Sequence, residues 1–168
     1  MGIQERIVRR LGHARLVAVL GRRFGFRVDR RLYAATGGRL TTLGRDTAPM
    51  LLLTTVGRRS GLPRTVPVIF VRDGESYVIS SENFGQRRPA AWPLNLDANP
   101  RAVVQVGSTV MNCTARRLGE REANRYWERL VDAWPAHDTY RQRSGVRHTF
   151  VLTPSPGGSR ADVWLRPS

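Results

Sequence analysis

The chain has no lysine and a single cysteine, Cys113. Without lysine there is no P-loop, whose phosphate grip needs that ammonium. One cysteine excludes an internal disulfide, so a reducing, cytoplasmic setting is expected. Cys113 sits in a strand-like run and reads as a small core residue, not a nucleophile. Histidine is scarce as well. His13, His137 and His148 lack any zinc-ligand spacing, and no metal site is expected. No apolar run reaches the roughly 18 residues that cross a bilayer. Arg6, Arg9, Arg10 and Arg15 would interrupt the apolar stretch of a secretory leader. No G-x-G-x-x-G follows a strand. The serine of Gly57-Arg58-Arg59-Ser60-Gly61 is one place off for a nucleophile elbow, and a strand follows where that motif needs a helix. Nor is there a carboxylate pair in the apolar setting that glycosidase or aspartic-protease chemistry requires. Such a chain, if an enzyme, takes its chemistry from a cofactor.

What the chain does have is arginine. All 28 basic side chains are arginine, against 13 acidic ones, for a net charge of +15. A surface this positive gathers anions such as nucleic acid, acidic lipid or a polyanionic cofactor. The length suits one domain, residues 50–168, preceded by a basic helix and arm over residues 1–49. Ile3, Ile7, Leu11 and Ala14 stripe one face of a helix at residues 3–20, with arginines on the others. That helix either packs on the domain or rests peripherally on an acidic membrane. Its short stripe and Gly12 favour packing. An irregular, arginine-rich lid or arm follows.

The domain is organised around residues 51–81. Leu51–Val56 and Thr65–Arg72 have strand length and composition. Asp73-Gly74 is a strong hairpin signal, because glycine accepts the positive φ of the turn. The other connection, Gly57 to Arg64, holds Arg58, Arg59, Arg64 and Ser60 between two glycines. Guanidinium is a permanently charged planar fork that grips phosphate or carboxylate at two points. The loop reads as an anion site at a sheet end, or else as a solvated turn carrying scattered arginines. Further on, Ala90–Ala98 predicts a short helix with Pro93 in its first turn. Arg101–Val106 and Thr109–Arg116 predict a hairpin through Gly107-Ser108. Gly119–Trp134 predicts a helix whose apolar face is Ala123, Tyr126, Trp127, Leu130, Val131 and Trp134. His148–Leu152 predicts another strand, Pro154–Ser159 a break and Ala161–Arg166 an edge strand. Five or six short strands with few helices predict a mainly β fold, a small closed or split barrel plugged by helices.

LLTTVGRRSGLPR, then Pro67, RDG and AWPLNLDANPRAVVQVG, resembles the deazaflavin-dependent nitroreductase family over roughly residues 50–153. The combined motifs are more specific than either half. The resemblance implies a split β-barrel of the FMN-binding, pyridoxamine-phosphate-oxidase-like type. It also implies coenzyme F-420 as cofactor, with FMN the less favoured choice, and hydride transfer to quinones, nitroaromatics or similar electrophiles. Carried over by position, Arg58, Arg59 and Arg64 bind the coenzyme's phosphate and oligoglutamate tail, assisted by Ser60 and Asn95. Thr65, Val66, Pro67 and Ile69 lie along the deazaflavin ring, and the backbone of Ser80, Ser81, Glu82 and Asn83 holds its edge. Ala91 and Trp92 close the far side, although Trp92 equally reads as plain core.

The chain departs from that family in two places. Glu82-Asn83 stands where the nitroreductase subgroup has Ser-Lys, which removes a cation and adds an acid. Trp134, His137 and Tyr140 stand where that subgroup has tyrosines, and they line the expected acceptor pocket. Tyr140 is then the candidate catalytic residue, hydrogen-bonding the acceptor oxygen as charge develops. It reads equally as a buried tyrosine closing a C-terminal helix onto the barrel. A non-catalytic barrel binding fatty acid or haem is the alternative function. Specific nucleic-acid binding ranks last, because no recognition helix or aromatic platform is present. Small split barrels often dimerise, so a homodimer is among the expected partners.

Overall fold

A barrel forms when the last strand of a sheet finds the first. The computed structural model describes residues 48–156. In chain order these form β1 (Met50–Val56), β2 (Pro63–Asp73), β3 (Ser76–Ser81), a 3-10 turn (Asn83–Gly85), α1 (Ala91–Ala98), β4 (Arg101–Val106), β5 (Thr109–Arg117), α2 (Glu120–Ala133), α3 (Ala136–Ser144) and β6 (His148–Pro154). The strand order β1-β2-β3-β6-β5-β4 closes on itself, and every neighbouring pair is antiparallel. Closure pairs both edges of every strand, which removes the exposed backbone that would invite aggregation. The mainly β barrel expected from the sequence is the fold.

The core follows from two-residue alternation. Leu51, Leu53, Phe70, Tyr77, Ile79, Ala102, Val104, Cys113, Ala115, Phe150 and Leu152 fill the interior, and α1 plugs it with Trp92 and Leu96. Full burial of one such Leu or Phe side chain stabilises by about 1.5–3 kcal/mol. Burial pushes the Cys113 thiol up to about 11, as suits a core residue and not a nucleophile. Outside the barrel, Ala123 and Leu130 of α2 pack on Val71 and Val78 of β2 and β3, with Tyr126 and Trp127 half-buried beside them. Tyr126 Oη–H donates to Asp73 Oδ2 at 2.6 Å and ties the helix to the β2–β3 hairpin.

Two expectations need correction. Val56 pairs with Pro63 and Thr55 with Arg64, so both residues belong to β2, and the arginine loop shrinks to Gly57–Leu62. Proline is tolerated as the first residue of a strand, where no ladder donor is lost. The segment after Trp134, where no element was expected, is helical as α3. Its sequence, AHDTYRQRS, has no clear apolar stripe, so periodicity misses it. The end signals were present: Pro135 before it, arginines in its last turn and Gly145 after it at φ 65°. The helix at residues 3–20, the arm that follows and the strand at 161–166 lie outside the described residues.

Candidate functional site

The arginine loop is rigid by construction. Gly57 N–H donates to Leu62 O (2.8 Å), and Gly61 N–H donates to Gly57 O (2.7 Å), with Gly61 at φ +68°. A Cβ on Gly57 would come within 2.7 Å of Ser60 Oγ and 3.0 Å of Leu62 O, so only glycine fits there. Asn95, buried on α1, fastens the loop from below. Its Nδ2 donates to the buried Thr55 Oγ1 (3.1 Å), and its Oδ1 accepts from Arg58 N–H (3.1 Å). Asn95 therefore acts through the loop backbone. Ser60 Oγ accepts from Leu62 N–H (3.3 Å) and from Arg64 Nη2 (3.4 Å), which turns Arg64 toward the loop.

Arg58, Arg59 and Arg64 are exposed, and no carboxylate pairs with them among the described residues. On β5 the pattern is opposite: Arg116 chelates Glu122 (2.7 and 2.9 Å), and Arg117 is held by Asp97. Two unneutralised guanidiniums on a stiff loop, with a third at the start of the adjoining strand, have the charge and geometry to receive an anion.

Beside the loop runs β2. Thr65, Pro67 and Ile69 share the face of β2 opposite Val66; Pro67 is buried and the other two are half-buried, and Thr65 Oγ1 lies 2.9 Å from Thr54 Oγ1. Val66 packs against the interior cluster instead, so its side chain cannot share a surface with those three. Trp92 also belongs to the interior, its ring 5.7 Å from that of Phe150, whereas Ala91 is exposed.

The turn after β3 is the most constrained backbone of the site. Asn83 (φ 44°) and Phe84 (φ 55°) both adopt left-handed conformations without being glycine. Each such residue typically stores about 1–3 kcal/mol and persists only where its surroundings over-determine it. Asn83 Nδ2 donates to Arg88 O (2.5 Å), and the Phe84 ring stands edge-on to Tyr140, centroids 5.7 Å apart. Gly85, at φ 78°, sits so close to α3 that a Cβ would lie 3.0 Å from Arg143 Cβ. Gly85→Ala is expected to lose about 1–3 kcal/mol through left-handed strain plus that contact. Urea denaturation checks it, and an unchanged midpoint would mean the turn relaxes freely.

Glu82 is where the sequence reading changes most. It is only 2% exposed and does not offer its acid to an open ring pocket. Glu82 Oε1 accepts from Ser80 Oγ–H at 2.6 Å, and Ser80 Oγ lies 3.2 Å from Thr149 Oγ1. Its Oε2 lies 2.6 Å from His137 Nδ1. His137 is 5% exposed and its Nε2 meets no hydrogen-bond partner among the described residues. Three residues on, one turn along α3, Tyr140 shares this face, and burial pushes its phenol up so that it remains a protonated donor. Trp134 instead caps α2 in extended conformation, half-buried. The structure thus unites Glu82, His137 and Tyr140 between the β3 turn and α3. Thr149 and Phe84 were missed, since neither carries a local signal.

A family model described as F420H(2)-dependent quinone reductase matches residues 22–154. The chain belongs to that family. An F420H(2)-dependent quinone reductase of Mycobacterium tuberculosis is 32% identical over 104 residues, 61% of this chain and 70% of the relative. A solved F420-H2 dependent reductase is 31% identical with a TM-score of 0.57, covering 62% of this chain and 93% of that one. A solved domain-swapped dimer at 29% identity has a TM-score of 0.59, covering 75% and 93%. The chain is therefore an oxidoreductase of the split-barrel class that uses coenzyme F-420, and these relatives support the enzyme over a non-catalytic ligand carrier.

Proposed function

We propose that this quinone-reductase family member reduces a quinone or a similar planar electrophile, holding the coenzyme by its anionic tail on Arg58, Arg59 and Arg64. The observation that carries this reading is the stiff loop with Arg58 and Arg59, joined by Arg64 of the adjoining strand, without an acidic partner among the described residues. The coenzyme, when bound, supplies the hydride. Every other contribution comes from the chain. Gly57 and Asn95 fix the loop, so that little ordering cost falls on binding. Ser60 orients Arg64. Thr65, Pro67 and Ile69 offer one face to the ring, and Ser80 to Asn83 offer backbone at its edge. Val66 and Trp92 support this surface from within the barrel. Tyr140 donates a hydrogen bond to the acceptor oxygen. A homodimer is part of this reading, supported by the domain-swapped dimer among the similar structures.

The test is stopped-flow oxidation of reduced coenzyme F-420 by a soluble quinone such as menadione. Rapid, protein-dependent oxidation is expected. Coenzyme binding without oxidation by any quinone would overturn the acceptor assignment. Tyr140→Phe is expected to lower kcat about 10-fold with coenzyme affinity unchanged, the loss of one oriented donor. Unchanged turnover would leave Tyr140 as a packing residue.

A further inference from the structure

Between α2, α3 and β6 the surface folds into a cavity of about 490 Å³ that opens to solvent and shares no residue with the arginine loop. A hollow of that size is in the range of small-molecule sites. Leu118 and Ala123 are its apolar wall, while Arg141 of α3 and Arg147, one residue before β6, bring positive charge. Both guanidiniums stack on the Trp127 indole, 4.8 and 5.2 Å from the ring centroid. That packing fixes where they stand but uses none of their N–H donors. Arg147 Nη2 donates to Asn124 Oδ1 at 2.8 Å. Arg141 is half-buried, yet its guanidinium donates to no acceptor among the described residues. Neither arginine forms an ion pair with a described carboxylate. Burial and the neighbouring Arg141 charge both lower the Arg147 pKa, as befits two cations held together away from full solvent. Two carboxylates also line the cavity. Asp138 accepts from Gln142 Nε2 at 2.7 Å, and Glu120 stands exposed.

We infer that this cavity is a second anion site, taking a small polar molecule that carries one phosphate or carboxylate group. Arg141 grips the oxyanion with its free N–H donors, and the Arg147 charge beside it adds attraction. Trp127 already holds Arg141 in place, so little side-chain freedom is lost on binding. Asp138 and Glu120 accept hydrogen bonds from hydroxyl or amino groups elsewhere on the ligand, and they select against a molecule with several negative charges. The inference stands apart from the coenzyme reading, because none of Arg58, Arg59 and Arg64 lines the cavity. A purely structural sandwich of Trp127 would hold the same side chains in place but would bind no anion.

The experiment titrates the full chain with sodium phosphate, and separately with sodium lactate, at an ionic strength held constant with sodium chloride. Proton–nitrogen NMR follows the Nε–H groups of Arg141 and Arg147 and the backbone amide of Gly145 in the cavity wall. At least one of the two anions is expected to shift these signals saturably, with a dissociation constant on the order of 1 mM or tighter. Arg141→Gln should weaken the Gly145 response by about 10-fold or more. Arg141→Lys, which keeps the charge and loses the fork, should retain part of it, and it decides the matter if glutamine disturbs the fold. Arg58→Ala/Arg59→Ala should leave the affinity within about 2-fold, since its changes lie outside the cavity. Signals far from the cavity report whether each variant is folded. Shifts that stay linear with both anions, or that persist unchanged in the folded Arg141 variants, overturn the site. Loss of the Gly145 response in Arg58→Ala/Arg59→Ala overturns its independence from the loop.

Discussion

Replacing both Arg58 and Arg59 by alanine is expected to weaken coenzyme F-420 binding by about 100-fold or more while leaving the fold intact. Charge-assisted hydrogen bonds contribute more than neutral ones, and each tenfold in affinity corresponds to about 1.4 kcal/mol. Both side chains are exposed and neither supports the barrel, so thermal stability should stay within about 2 °C. The loop itself survives, because its shape comes from Gly57, Gly61 and the Asn95 bridge to Arg58 N–H, a backbone group that alanine retains. Salt provides a second reading. Wild-type affinity should fall as ionic strength rises, and the variant's dependence should be flatter, because two of its screened attractions are gone. Fluorescence titration at low and high salt measures both. Equal affinity in the two proteins would move the anion site elsewhere.

His137→Leu is expected to destabilise the protein by about 1–3 kcal/mol, the usual cost of leaving a buried polar group without its hydrogen-bond partner. The two side chains are 7% and 2% exposed, and Glu82 Oε2 would face leucine in place of the imidazole 2.6 Å away. Ser80 satisfies only the other oxygen. The double variant Glu82→Leu/His137→Leu should recover much of the loss, since a buried pair exchanged for apolar side chains is often close to neutral. Urea unfolding at constant m-value distinguishes the cases. If His137→Leu alone costs under about 1 kcal/mol, water reaches the pair and the buried line described here is not intact.

These two expectations rest on very different amounts of sequence information. The arginine loop was legible because its chemistry is local. Gly57, Ser60, Gly61 and three arginines fall within eight residues, and the flanking runs alternate with strand periodicity. The Asp73-Gly74 turn, the helix at Ala91–Ala98 and the amphipathic α2 were legible for the same reason, being short-range preferences of the backbone. The family motifs added the cofactor, which no periodicity carries. Less was legible where polarity masked a pattern. α3 is too hydrophilic to stripe, and its start and stop residues were the only guide.

The Glu82 cluster could not be read at all. Its members are far apart in the chain, with Ser80 and Thr149 separated by 69 residues and Glu82 and His137 by 55. Glu82 read as an acid added to a ring pocket because the sequence reports its charge and not its neighbours. The strand spans, and the reading of the arginine loop as a place for an anion, came from the chain alone, since each depends on residues a few positions apart. Tertiary structure alone decided that Val66 faces the core, that Asn95 serves the loop and that Glu82 belongs to His137. Barrel closure sets which strands adjoin and in what register, so that a shift of one residue would turn Val66 to the opposite face, and it brings the helices and turns that carry Asn95, Glu82 and His137 to their partners.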